Sequence, residues 1–186
     1  SDFGQFLMLS NMLEFNKFGF HQGGYLSFGD TSKTDPTGTK PGTYFLDQLK
    51  AQKMQSEFIF ESLDFSFYEG VSENPAQAIH HPNIEKANAY SWTKAARYHG
   101  QPMEVGAISR AIHSAIPLVQ DIGIEQGANA QSRIILRLRE LASLLIQMDH
   151  WLSDIKSGQP YINDIELPSE GEGQGLIEAA RGSLGH

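Results

Sequence analysis

"ANAQSRIILRLRELASLLIQMDHWLSDIKS", residues Ala128 to Ser157, carries the clearest periodic signal in the chain. Ile134, Leu138, Leu141, Leu145, Met148, Leu152 and Ile155 recur at alternating steps of four and three. Side chains so spaced share one face of a helix. Ile135, Leu136, Leu144 and Ile146 widen that face beyond the narrow seam of a free coiled coil, so the pattern predicts a core helix packed among other helices. "SGQP", Ser157 to Pro160, supplies the glycine and proline that stop it. The expected fold class follows from this element. It is α+β and mainly helical, with a long core helix at about 128–157 in a helical bundle and short strands in the N-terminal half.

Working outward, Phe3, Phe6, Leu7, Leu9, Met12, Leu13 and Phe18 have a roughly helical spacing, which predicts a helix ending near Lys17 with Gly19 as its C-cap. "GGYLSFGD" (Gly23 to Asp30) reads as a strand, and Thr31 to Thr43 as a loop rich in turn formers. "YFLD", "EFIFES" and "FSFYE" between Tyr44 and Glu69 read as further short strands, and Gly70 to Tyr90 as irregular. A second helix is expected from about Glu104 to His113, reaching towards Pro117. After the long helix come an extended piece, "YINDIELP", and a glycine-rich tail. No repeat, low-complexity tract or second-domain boundary is visible, so residues 1–186 read as a single domain.

Composition narrows the function. Charged residues make up 19% and hydrophobic residues 40%, a globular balance. The formal net charge is −8 and the 14 basic residues are scattered apart from Arg133, Arg137 and Arg139, which argues against a nucleic-acid partner. No apolar run approaches the length of a membrane span, and "SDFGQFLMLS" lacks the basic start of a secretion signal. Cysteine is absent, which removes disulfides, thiolate ligands and thiol nucleophiles from this chain.

Few residues carry a chemical pattern. His80, His81, His113 and His150 lack the i, i+4 partners of a zinc helix, and His80-His81-Pro82 reads as a loop former. Gly171-x-Gly173-x-Gly175 lacks the correctly spaced third glycine, the preceding strand and the following helix of a dinucleotide cradle, and no G-x-S-x-G nucleophile elbow occurs. Arg181 stands apart, between Ala179-Ala180 and Gly182, where small neighbours permit close approach to a ligand. From spacing alone it is equally a surface salt-bridge residue.

Two stretches together resemble one family. "YSWTKAARYHGQPMEVGAISR" (Tyr90 to Arg110) resembles the Y-S-W-x-K-A-P-R-Y-x-G-x-P-M-E-V-G-P-L-A-R signature of the large subunit of nickel–iron hydrogenases. "GEGQGLIEAARGSLGH" (Gly171 to His186) resembles that family's G-x-G-x-x-E-A-P-R-G-x-L-G-H-W segment. "SRIILRLREL", "GYLSFGD" and "ESLDFSFYEG" are looser likenesses, so the resemblance covers most of the chain. Ala96, Ala107 and Ala180 stand where the family usually has proline, and Phe65 where a histidine commonly precedes S-W-Y.

The resemblance implies a parent enzyme that splits hydrogen heterolytically and reversibly, and an iron–sulfur small subunit that takes the electrons. Arg181 matches the family's arginine overhanging the metals and is the candidate catalytic residue. Trp92, Arg97 and Glu104 are expected to pack and to form ion pairs. The family holds its nickel–iron centre with two Cys-x-x-Cys-type pairs that this chain lacks, so the centre is expected in the parent protein and no cofactor in these residues alone. The reading is thus an internal fragment, inactive alone, exposing apolar surface that is otherwise covered. By resemblance the parent is periplasmic, held to the membrane through its small subunit, with no membrane span of its own. The alternatives are a non-catalytic large-subunit-like paralogue, or a homologue of the large-subunit-like component of respiratory complex I serving as an interaction or quinone-site module.

Overall fold

The computed structural model describes residues 1–21, 23–29, 41–45, 50–72, 74, 75, 77–114, 122, 124, 127–162, 165, 166 and 168–186. Residues 31–40 of the loop expected at Thr31–Thr43 and the extension of the second helix to Pro117 lie outside these residues, while Gly42 and Thr43 fall in a strand rather than the loop.

β1 (Gly24–Ser27) is the strand on which the fold is organised. It pairs antiparallel with β2 (Gly42–Phe45), which pairs with β3 (Lys50–Gln52), and parallel with β8 (Met103–Glu104) on its other edge. Both faces of β1 are buried, and successive side chains serve different cores because a strand alternates its faces. Tyr25 joins Tyr44, Ile108, Ala111, Ile112, Ala128 and Leu136. Leu26 joins Phe28, Ile59 and Tyr98 on the other side. Three two-stranded units surround this sheet. β4 (Ile59–Ser62) pairs with β7 (Ala95–Tyr98), β5 (Tyr68–Glu69) with β6 (His81–Pro82), and β9 (Leu176–Ala179) with β10 (Gly182–Gly185).

Three helices occur among the described residues: α1 (Asp2–Met12), α2 (Ala107–His113) and α3 (Ala130–Asp154). α1 stops at Met12 with Leu13 as its C-cap, short of the expected end near Lys17; a separate 3-10 turn at Phe15–Lys17 follows, and Gly19 takes positive φ after that turn and does not cap α1. α2 is nearly all buried, from Ala107 to Ile112, although no side chain caps its start at Gly106. α3 begins in a capping box. The Asn129 side chain accepts from the Ser132 backbone, and the Ser132 hydroxyl accepts from the Asn129 backbone.

The mainly helical fold class is overturned. Among the described residues helix accounts for 33% and strand for 24%, in one mixed four-stranded sheet and three antiparallel two-stranded ones. The one long periodic element dominated the sequence signal, whereas strands of two to four residues are too short to show a period. The strands expected around Gly23–Asp30, Tyr44, Ile59 and Tyr68 are present, with more pairing than the N-terminal half alone suggests. The bundle is corrected too. Within α3 only Ser132 and Leu136 are buried, whereas Leu145 is 61% and Leu152 66% exposed, with Ile155 just past the helix 71% exposed. An apolar stripe records which face favours burial. It carries no record of what covers it, and here no described element lies over the second half of the helix.

Candidate functional site

The glycine-rich tail forms a hairpin. Ala179 pairs with Gly182, leaving Ala180-Arg181 as the two-residue turn. Neither of these residues has positive φ, so this is not the primed turn that short hairpins usually take. Arg181 therefore sits at the tip and is exposed.

What fixes this tip to the body is Arg110 on α2. Its Nη1 donates to Glu178 Oε2 at 2.7 Å and to the carbonyl of Ala179 at 3.0 Å. Its Nη2 donates to Glu140 Oε2 on α3 at 2.7 Å and to the carbonyl of Ala180 at 3.4 Å, and Nε donates to Glu140 Oε1. Burial works against the guanidinium charge, but the bonds to Glu140 and Glu178 outweigh it and raise the Arg110 pKa. Glu178 is as fully engaged. Its Oε1 accepts from the Phe28 backbone at 2.6 Å, from Ser183 Oγ at 2.8 Å and from Ser27 Oγ at 3.3 Å. One carboxylate thus ties the end of β1 to both strands of the hairpin.

Backbone contact completes the seam. A Cβ on Gly106 would lie 2.8 Å from the Arg181 carbonyl oxygen, and φ there is +95°. A Cβ on Gly182 would lie 2.6 Å from Val105 Cγ2. Glycine at these two positions lets Val105-Gly106 and the hairpin tip touch. The two motif-bearing stretches of the sequence are therefore packed against each other. The hairpin also borders a mainly apolar cleft of about 290 Å³, lined in part by Leu26, Phe28, Met103, Val105, Leu176 and Leu184.

The other anticipated residues separate by role. Glu104 does form an ion pair, a two-pronged contact with Arg133 of α3 at 2.7 and 2.9 Å. Burial, reinforced by the Glu104 charge, pushes the nearby Tyr25 phenol up to about 12. Trp92 packs against Phe67 and Tyr68. Among the described residues Arg97 donates to the adjacent Ala96 carbonyl and forms no ion pair. The His80 ring lies 3.1 Å from the Val71 carbonyl, and His81-Pro82 forms β6 rather than a loop. His113 is pushed below its ordinary pKa by burial. No sequence pattern points to Arg110, Glu140 and Glu178 as a group. Arg110 and Glu178 lie at separations that no local pattern reports, and only the flanking motifs surround them.

A thiolate-held nickel–iron centre does not fit the donors of this chain. It has no cysteine, and among the described residues no group of three or more His, Asp or Glu could share a metal ion. No helix among the described residues is long and apolar enough to cross a membrane.

Comparison with known proteins bears on residues 6–186, which match the family model described as nickel-dependent hydrogenase. The chain is 27% identical over 187 residues to the periplasmic NiFeSe hydrogenase large subunit of Desulfomicrobium baculatum, covering 87% of this chain and 35% of the relative. It is 30% identical over 127 residues to the uptake hydrogenase large subunit of Rhodobacter capsulatus, covering 56% and 21%. Among solved structures, the Ni-Fe-Se hydrogenase from D. vulgaris Hildenborough superposes with a TM-score of 0.79 at 28% identity, covering 95% of this chain and 41% of that one. The chain thus spans less than half the length of these relatives.

Proposed function

The chain belongs to the nickel-dependent hydrogenase family, and on that premise we propose that it is the part of a hydrogenase large subunit that presents Arg181 beside a metal site whose ligands lie outside these residues. The parent protein would catalyse reversible oxidation of hydrogen to protons and electrons. The observation that carries the reading is the hairpin tip. Arg181 is exposed while the backbone leading to it is gripped by Arg110 and sealed against Gly106.

A guanidinium is a planar cation that offers several N–H donors. Held on a fixed backbone, it supplies a pre-oriented positive charge, which stabilises developing negative charge without reorganisation. It is a poor base in water, so the organising role is the easier one for it to fill. Electrons would leave to an iron–sulfur small subunit. A periplasmic location, suggested by the name of the Desulfomicrobium relative, is part of the same proposal.

The test is hydrogen-dependent reduction of a viologen dye by the complete polypeptide with its small subunit, together with its nickel content. Turnover with bound nickel is expected. A complete polypeptide that lacks both cysteine pairs, binds no nickel and reduces no dye contradicts the proposal.

A further inference from the structure

We propose that Arg110 and Glu178 are positioning residues for Arg181, acting through the peptide carbonyls that lead into the turn. The inference rests on the role proposed above for Arg181 and adds what holds that residue in place.

The geometry is specific to a guanidinium. Nη1 and Nη2 of Arg110 reach the carbonyls of Ala179 and Ala180, two successive peptide groups immediately before Arg181. The same two nitrogens are braced by carboxylates on different elements, Glu178 within the hairpin and Glu140 on α3. The planar fork is therefore held by two carboxylates while it orients the backbone of the tip. An ammonium has its donors on one atom and cannot reproduce four directions in a plane. Glu178 does the matching work from inside the hairpin. It fixes β9 to the Phe28 backbone and fixes Ser183, two residues beyond Arg181. The turn is thus held on its way in and on its way out. Among the described residues the Arg181 side chain makes no hydrogen bond or ion pair of its own, so whatever places it acts through the backbone.

An ion network that only stabilises the fold affects activity independently of Arg181. A positioning network has its effect through Arg181 and loses it when that side chain is replaced. The experiment is a double-substitution cycle in the complete hydrogenase with Arg110→Lys and Arg181→Lys. It reads kcat and KM for hydrogen, nickel content and thermal melting. Arg110→Lys in the otherwise native enzyme is expected to lower kcat about 10- to 100-fold, as sub-ångström to ångström misplacement does, with KM and nickel content little changed. In the Arg181→Lys background the same change is expected to cost no more than about twofold. If Arg110→Lys fails to fold or to retain nickel, Glu178→Gln is read in the same cycle. Equal losses in both backgrounds, or full activity of the single variant, overturn the positioning role. Full activity of Arg181→Lys overturns the proposed function of that arginine instead, so the two failures are distinct.

Discussion

Residues 130–140 and 141–154 of α3 form one continuous helix, but their surroundings differ. At the base, Leu136 is buried, Gln131 donates to Ser10 and Asn11 of α1, Arg133 bonds Glu104 and the Gly19 carbonyl, and Glu140 braces Arg110. Beyond Glu140, side-chain hydrogen bonds among the described residues stay within the helix, as from Ser143 to Arg139 and from Ser153 to Asp149. Large apolar side chains there, Leu141, Leu145, Ile146 and Leu152, face solvent. The base thus combines burial with polar ties to three other elements. The tip has the apolar residues without either. Local sequence makes both halves helical, and only tertiary partners make one of them part of the core.

The difference can be broken most severely at Arg110. Arg110→Met removes the guanidinium from the largely buried Glu178 carboxylate and from the partly exposed Glu140, and is expected to cost about 3–5 kcal/mol in urea unfolding. Arg181→Met, at the exposed tip, is expected to change stability by less than about 0.5 kcal/mol. Similar losses for the two would remove the distinction between clamp and tip. Leu136→Ala in the base should cost about 2–5 kcal/mol. Leu145→Ala, in the same helix but uncovered, should cost no more than about 0.5 kcal/mol, a contrast to be read from the same denaturant curves. Gly106→Ala presses a methyl towards the Arg181 carbonyl at positive φ and should cost about 1–3 kcal/mol. An unchanged melting temperature there would mean that the seam is loose.

The smallest expected effect concerns pH. His113 has a folded-state pKa below its ordinary value of 6.5 because it is buried, so the unfolded chain binds the extra proton first. Its contribution is fully present above about pH 6.5 and is lost as pH falls from there towards the folded pKa. His113→Gln should flatten that part of the stability–pH curve, and an unaltered slope would assign it to other groups.

Much of the scaffold was legible from local signals. The strand around Gly24–Ser27 is bounded by glycines, α1 shows a helical spacing, and α3 falls within two or three residues of the boundaries its stripe predicts. The family resemblance implies an ion-pair role for Glu104, although nothing in the sequence identifies Arg133 as its partner. The hairpin in the tail was not legible, because β9 and β10 are only four residues each and β10 carries two glycines, while Glu178 ties the pair to the end of β1 by a contact that no local pattern reports. The clamp was equally hidden. Arg110, Glu140 and Glu178 come from three elements distant in sequence, and a charge pattern shows such a cluster only once the fold brings it together. Arg181 itself was found through the motif around it. Its place at a turn tip held by its backbone is a product of the fold.

The central claim is that this scaffold exists to present Arg181. Its most direct test is hydrogen-dependent dye reduction by the complete enzyme carrying Arg181→Lys, compared with the native enzyme at equal nickel content. Loss of a preorganised donor and charge predicts a fall of about 100- to 1,000-fold in kcat. A lysine variant that turns over at the native rate would contradict the account.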